Sequence, residues 1–184
     1  MTEKFLLYGG AINQAGSVKG KATAKHAVSD WMEIEKERGI SVTSSVLQFN
    51  YGGYCINILD TPGYFDFVGE VEEAVSAADA AVIVVSGKAG VQVGTEKAWE
   101  LCDKYNLPRM VYVTEMDMDD ASFRQVVEDL TVRYGKKIAP HFQPIRENEK
   151  LVGYINIIKK CRQTLYRNRD REKSARFRII VFRT

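Results

Sequence analysis

The segment Ile56-Asn57-Ile58-Leu59-Asp60-Thr61-Pro62-Gly63 runs from an apolar stretch into an aspartate and a tight turn. Its apolar residues predict a short buried strand. Asp60 would then lie at the carboxyl end of that strand, where open α/β sheets bind their ligands. An aspartate there can hold Mg²⁺, and a glycine such as Gly63 lets a backbone N–H approach a phosphate. A plain strand-to-turn junction explains the same residues, because Asp, Pro and Gly are common in turns.

The residues after this segment predict an α/β domain. Ala80 to Val85 is an unbroken apolar run, which predicts a strand buried on both faces, and Met110 to Val113 predicts a further strand. Apolar residues at helical spacing predict helices over 67–78, 95–105 and 123–134. Because strand and helix alternate, we expect a mostly parallel sheet with helices on both faces.

The residues before the segment predict two short helices and a hairpin. Residues 3–8, followed by Gly9, have the pattern of a helix that ends at a glycine. Asp30-Trp31-Met32-Glu33 has the spacing of a capping box at the start of another helix. Alternating runs on both sides of Tyr51-Gly52-Gly53-Tyr54 predict a β-hairpin, with its first strand over 42–49.

Composition narrows the class of protein. The chain has 184 residues, enough for one hydrophobic core. No apolar run approaches the ~20 residues that span a bilayer, and the amino terminus lacks the pattern of a signal peptide. Cys55, Cys102 and Cys161 lack the spacing of metal ligands. We therefore expect a reduced, cytoplasmic protein with no membrane partner.

At these motifs the chain resembles the G domain of translational GTPases, and two branches of that family are recognisable. Residues 2–63, which include Ser29-Asp-Trp-Met-Glu and Glu37-Arg-Gly-Ile-Ser, resemble peptide chain release factor 3. Residues 60–158, which include Asp60-Thr-Pro-Gly-Tyr-Phe-Asp-Phe, resemble elongation factor G. A recombined or mis-assembled gene would explain both. The resemblance implies GTP or GDP with Mg²⁺ as ligands, and the ribosome as partner.

The resemblance also implies roles for single residues. Ser41 matches the hydroxyl that ligates Mg²⁺, and Asp60 and Gly63 match the metal and γ-phosphate contacts. The histidine that orients the attacking water in the family stands here as Tyr64, so no catalytic residue is assigned, since a phenol is no base near pH 7. The implied metal ligands are Ser41 and Asp60, and the implied nucleotide contacts are Asp60, Thr61, Pro62, Gly63, Thr114 and Asp117.

The guanine-reading motif of the family, Asn-Lys-x-Asp, stands here as Thr114-Glu115-Met116-Asp117. Asp117 could still accept the two hydrogen bonds that the guanine edge donates. The other changes remove an amide contact and reverse a charge. Because one such contact contributes roughly 0.5–3 kcal/mol, we expect weaker nucleotide affinity and weaker guanine selectivity.

The chain does not contain a phosphate loop of the form G-x-x-x-x-G-K-[ST]. The nearest string, Gly16 to Ala22, is one residue short and lacks the hydroxyl, so we interpret it as a flexible basic loop. Matched to the family, Met1 falls in the helix after the phosphate loop. We therefore expect a P-loop NTPase-type three-layer sandwich that lacks this loop and the first, central strand. Phe177 to Phe182 has the composition of a strand and is one candidate for filling the gap.

These expectations divide the chain into an incomplete G domain, residues 1–158, and a basic tail, residues 159–184. The tail carries ten Lys or Arg against two acidic residues, so it could bind RNA, although a solvated, disordered end explains the same composition. We expect the GTP-binding domain of a translation factor, with nucleotide binding and hydrolysis impaired or lost. The alternatives are a non-catalytic module that contacts the ribosome or RNA, and a non-functional chimeric fragment.

Overall fold

The structure is a computed structural model that describes residues 1–16, 26–147 and 150–164. Its residues divide into two units, Met1–Asp79 and Ala80–Thr184. The expected α/β class is confirmed, because the described residues form helices and three separate sheets, one of them parallel. The parallel pairing that we expected to dominate is confined to one pair of strands, and the other two sheets are antiparallel.

In the first unit, the predicted hairpin is confirmed. Strands β1 (Ser45–Tyr51) and β2 (Tyr54–Asp60) pair antiparallel. Gly52 and Gly53 turn the chain with φ of 60° and 85°, the left-handed values that a two-residue type I′ turn requires. β1 begins at Ser45 rather than at residue 42. The reason is that the backbone N–H groups of residues 42–44 donate to carboxylates and not to a neighbouring strand.

Helix α1 (Thr2–Tyr8) packs against β1 through a glycine. The helix ends at the predicted place, where the Gly9 N–H donates to the Phe5 carbonyl over 2.8 Å. A Cβ at Gly9 would lie 2.3 Å from the Phe49 ring. A larger residue would therefore push the helix away from the strand.

Helix α2 (Glu33–Arg38) begins later than predicted. Its cap is Met32, whose N–H donates to Glu35 Oε2 over 3.0 Å, so the prediction that Asp30 opens the capping box is wrong. The helix ends at Gly39, which has a φ of 65°. Helix α3 (Val68–Ser76) follows the turn after β2, as its apolar spacing predicts.

The second unit builds its core on one face of the parallel pair. β3 (Ala81–Ser86) and β4 (Arg109–Thr114) form that pair, and α4 (Val93–Lys104) and α5 (Phe123–Tyr134) contribute to the core. The buried side chains are Ile83, Val85, Cys102, Val126 and Leu130. The prediction that β3 is buried on both faces is wrong, because Val82 and Val84 point away from this cluster and are 46% and 48% exposed.

An antiparallel sheet that the sequence analysis did not predict follows α5. Its strands are β5 (Phe142–Glu147), β6 (Lys150–Asn156) and β7 (Cys161–Thr164), paired in that order. The register of β5 against β6 shifts between Ile145 and Arg146. Such a bulge redirects the neighbouring side chains.

Strand β7 shows that part of the predicted tail belongs to this sheet. Residues 161–164 belong to the sheet, although the sequence analysis assigned them to the tail. The rest of the tail from residue 165 onward, including the strand-like run from Phe177 to Phe182, lies outside the described residues. Within the described residues, the structure has no helix that is both long and apolar enough to cross a membrane.

Candidate functional site

Asp60 is the last residue of β2, at the end of the strand that the sequence predicts. The hydroxyl groups of Ser29 and Thr2 lie close enough to its carboxylate to favour the charged form. Burial raises the pKa of Asp60 above its ordinary value, and the charge of Asp30 raises it further. The two hydroxyl groups and the amino group of Met1 oppose this increase in the pKa. Asp60 is therefore a carboxylate whose charged form a nearby cation would stabilise.

Asp30 lies beside Asp60 and binds Ser41. The Ser41 hydroxyl donates to Asp30 Oδ1 over 2.8 Å. Asp30 is only 1% exposed, and its Oδ2 is buried without a hydrogen-bond partner among the described residues. A buried carboxylate oxygen with no donor costs free energy. Asp30 Oδ2, beside Asp60, is thus a hydrogen-bond acceptor that no described residue satisfies and that solvent hardly reaches.

Glu35 anchors the residues that follow Ser41. Its side chain is fully buried, and Oε1 accepts from the backbone N–H groups of Val42 and Thr43 over 2.9 and 3.2 Å. Burial alone would raise the pKa of Glu35. These bonds, with those from the Met32 N–H and the Thr43 hydroxyl, outweigh burial and lower it. Glu35 is therefore a buried carboxylate held in its ionised form by the backbone that it binds.

Ser44 and Ser45 form hydrogen bonds to residues other than Glu35. The Ser44 N–H donates to Glu70 Oε2 of α3 over 2.9 Å, and the Ser44 hydroxyl donates to the Glu70 carbonyl over 3.1 Å. The Ser45 hydroxyl donates to the Ser29 carbonyl over 2.6 Å. Every residue from 41 to 45, here named the 41–45 segment, therefore forms a hydrogen bond outside the segment. These bonds hold the segment to α2, to α3 and to residues 29 and 30.

The turn after Asp60 is open on its outer side. Pro62 is buried, whereas Gly63 and Tyr64 are exposed, Tyr64 by 56%. A Cβ at Gly63 would meet no atom within 4 Å. A ligand can therefore approach the backbone of this turn from the solvent.

The second unit holds the other predicted contacts, Thr114 and Asp117. Thr114 ends β4, and its hydroxyl donates to the Val85 carbonyl over 3.3 Å. Glu115 has a φ of 57° and accepts a hydrogen bond from the Ser86 hydroxyl. Asp117 is exposed. The carboxylate of Glu115 therefore binds the end of β3.

A glycine lets the loop after β3 approach the loop after β4. The Gly87 N–H donates to the Thr114 carbonyl over 2.8 Å, and the Gly87 carbonyl accepts from the Ser122 N–H over 2.9 Å. A Cβ at Gly87 would lie 2.7 Å from Met116 Sδ. The Cβ would also lie 3.0 Å from the Thr114 carbonyl, so a larger residue would require the Met116 side chain to move and the Thr114 carbonyl to shift slightly.

The structure thus groups some of the predicted residues within each unit. In the first unit, Ser41 and Asp60 share the neighbour Asp30, and the Thr61-Pro62-Gly63 turn follows directly. The second unit carries Thr114 and Asp117 on one loop. Sequence reasoning missed the residues that surround or hold these groups, namely Thr2, Ser29, Asp30, Glu35 and Glu70. It also missed Arg146, whose guanidinium donates to the Met118 and Ala121 carbonyls of the loop that carries Asp117. Among them, Ser29 and Asp30 belong to the motif Ser29-Asp-Trp-Met-Glu, and the others have no sequence pattern that marks them as site residues.

Three or more His, Cys, Asp or Glu side chains do not cluster as metal ligands anywhere in the described part of the chain. The Asp30–Asp60 pair offers two carboxylates, and the hydroxyls of Ser41, Ser29 and Thr2 surround it. Such a set of oxygen atoms suits a hard cation that takes its other ligands from water or a bound phosphate.

Two comparisons place the chain among known proteins. The family model described as elongation factor Tu GTP binding domain matches residues 1–174. A crystal structure of a protein from Thermus thermophilus is similar over 90% of this chain, with 36% sequence identity and a TM-score of 0.82. The match covers 24% of that protein, so the chain spans about a quarter of its length.

Proposed function

Because the chain belongs to the elongation factor Tu GTP-binding domain family, we propose that it is the guanine-nucleotide domain of a translation factor of the elongation factor G and release factor 3 type. The observation that carries this proposal is the position of Asp60 at the carboxyl end of β2, beside Asp30 and before the open turn at Gly63. This is where a nucleotide hydrolase holds its metal and terminal phosphate.

The family implies Mg²⁺, and the side chains around Asp60 fit it. Ser41 uses its proton to bind Asp30, which leaves the lone pairs of its hydroxyl oxygen for a cation. Asp30 Oδ2 is a buried acceptor without a donor among the described residues. Ser41 and Asp60 would hold the ion, and when bound it would neutralise negative charge on the nucleotide phosphates. The hydrogen bonds of the 41–45 segment hold the backbone next to Ser41 and so keep its hydroxyl in position for the ion.

We propose that GTP hydrolysis by this chain is impaired. Tyr64 stands exposed in the turn where the family places a histidine. A phenol stays protonated near neutral pH and so accepts no proton from an attacking water. The position remains accessible to a nucleotide, but it lacks a group that orients and activates water.

We also propose that guanine selectivity is weakened. Thr114 stands where the family has an asparagine and Glu115 where it has a lysine, so these positions offer the base neither an amide nor a positive charge. Asp117 remains exposed and available as the acceptor for the guanine N1 and N2 hydrogens. The nearest string to a phosphate loop, Gly16 to Ala22, falls largely among residues outside the described ones. We therefore expect weak binding by the 184-residue chain, with a residual preference for guanine.

Membership of the family supports a proposal about the partner and the location. We propose that the domain acts on the ribosome in the cytoplasm as part of a larger factor. RNA contact by the arginines of the tail stays a prediction, because residues 165–184 lie outside the described part of the chain.

Displacement of a fluorescent GDP analogue, in buffer with Mg²⁺, tests this function. We expect saturable binding that GDP reverses at lower concentrations than ADP does. Asp60→Asn should weaken this binding by about tenfold or more, because it removes a charge that faces the metal. Asp66→Asn, an exposed aspartate in the next turn, is the matched control and should bind as the parent does. Equal displacement by ADP, or equal binding by Asp60→Asn, would refute the proposal.

A further inference from the structure

Arg146 contacts the loop that carries Asp117. The residue lies on β5, next to the bulge that shifts the register against β6. Its guanidinium donates to the Ala121 carbonyl over 2.5 Å and to the Met118 carbonyl over 2.6 Å. A bulge redirects side chains out of the regular alternation of a strand. Here it coincides with the side chain that joins β5 to the loop after β4.

The two carbonyls are the acceptors that this loop presents to β5. The Met118 carbonyl also accepts from the Ala121 N–H over 3.2 Å, and the Met118 N–H donates to the Glu115 carbonyl over 3.2 Å. Asp117 lies between Glu115 and Met118, the two residues that the second of these bonds joins. The loop is thus held at its base by Gly87 and at its tip by Arg146.

Without Arg146, the base of the loop would remain, but its tip would lose both bonds to β5. Ala121 is only 4% exposed, so its carbonyl would find little water to replace the guanidinium. The peptide groups after Met118 and Ala121 would then rotate more freely, and the loop that carries Asp117 would lose its fixed orientation. A carboxylate that accepts two hydrogen bonds from one base edge needs its orientation fixed, because both bonds depend on the same plane.

We infer that Arg146 is a positioning residue for base recognition: it holds the loop so that Asp117 faces the Watson–Crick edge of the base, without contacting the base itself. The inference rests on the proposed function, and it adds a residue from outside the base-reading motif. Its direct consequence is that Arg146 governs selectivity between bases more than overall nucleotide affinity.

The GDP to IDP affinity ratio measures this role. IDP lacks the exocyclic amino group of guanine, so the ratio reports the second hydrogen bond to Asp117 and cancels the phosphate contacts. For the parent chain we expect GDP to bind more tightly than IDP. For Arg146→Met we expect the ratio to fall by about threefold to tenfold, the equivalent of one hydrogen bond, with little change for IDP. Arg146→Lys can donate to one carbonyl and should give an intermediate ratio.

Hydrogen exchange of the loop amides provides a second readout. In Arg146→Met, we expect the Met118 and Ala121 amides to exchange about tenfold faster or more, because their local opening becomes easier. Arg162→Met is the matched control, since Arg162 is an exposed arginine of the same sheet that pairs with Glu147 over 2.9 Å. That variant should leave both the ratio and the loop exchange unchanged.

Two results would overturn the inference. One is an unchanged GDP to IDP ratio in Arg146→Met, and an equal loss of affinity for both nucleotides, which is one form of that result, would mean a purely structural role. The other is unchanged loop exchange in that variant. If the parent itself binds neither nucleotide, the proposed function fails together with the inference. If the parent binds GDP and only the variant result is negative, the inference alone fails.

Discussion

The Ser41 hydroxyl donates to Asp30 Oδ1 over 2.8 Å, and this bond links a predicted metal ligand to a buried carboxylate that sequence reasoning did not assign to the site. The bond fixes the Ser41 side chain against Asp30, whose charge also raises the pKa of Asp60. It also satisfies only one of the two oxygens of Asp30. The arrangement orients Ser41 and leaves Asp30 Oδ2 without a hydrogen-bond partner among the described residues.

Ser41→Ala should destabilise the fold, because it removes from buried Asp30 the one hydrogen bond that the described residues give its carboxylate. We expect the free energy of unfolding to fall by about 1–3 kcal/mol, the cost of an unsatisfied buried group. Urea unfolding followed by circular dichroism measures this. Ser76→Ala is the control, because Ser76 is exposed and its hydroxyl donates to the carbonyl of Glu73. Equal stability of both variants would mean that the Ser41–Asp30 bond contributes nothing.

Glu35→Gln should destabilise the fold in a pH-dependent way. The pKa of Glu35 is lowered in the folded state, so its contribution is complete above the unfolded pKa of about 4.3 and is lost as pH falls through the folded pKa. We expect a loss of roughly 2 kcal/mol at pH 7, since an amide offers a weaker acceptor and a donor that faces other donors. The difference from the parent should shrink in strong acid. Glu37→Gln, an exposed residue of the same helix, should show no such difference.

Asp60→Asn should stabilise the fold while it weakens nucleotide binding. The pKa of Asp60 is raised in the folded state, so the charged form is disfavoured there. The penalty is absent below the unfolded pKa of about 3.9 and appears as pH rises through the folded pKa. We therefore expect the variant to be more stable than the parent at pH 7 and equal to it in acid. A variant that is less stable at pH 7 would contradict this account of Asp60.

Tyr64→His should raise GTP hydrolysis. The exposed position can hold an imidazole that orients water, and such groups contribute about 10²–10⁴-fold to proton-transfer steps. Single-turnover hydrolysis at saturating Mg²⁺–GTP separates this step from binding. Tyr54→His, placed on an exposed residue of the hairpin, controls for the added histidine. No increase over the parent would mean that Tyr64 is not what limits hydrolysis.

Local patterns predicted the elements that depend on neighbouring residues. The Gly52-Gly53 turn, the end of β2 at Asp60 and the helix from Phe123 were all readable, because turn chemistry and apolar spacing are local properties. The start of β1 was not, because the N–H groups before it are drawn away by Glu35 and Glu70.

The site was predictable in its motif residues and not in the residues that orient them. Asp30 and Ser41 are 11 positions apart and meet only through the fold. Glu35 has the sequence appearance of a solvated helix charge, yet it is fully buried. Arg146 reaches its loop from a sheet whose bulge leaves no mark in the sequence pattern. Such contacts join residues that are distant in the sequence and meet only in the folded chain, so the spacing of residues along the sequence does not predict them.

Thermal unfolding of the 184-residue chain with Mg²⁺–GDP and with Mg²⁺–ADP tests the central claim most directly. A nucleotide that binds only the folded chain raises its midpoint by an amount that grows with its affinity. We predict that saturating Mg²⁺–GDP raises the midpoint by about 1–4 °C, and that Mg²⁺–ADP raises it less. A cooperative transition that is indifferent to GDP, or that ADP raises equally, would contradict guanine-nucleotide binding by this chain.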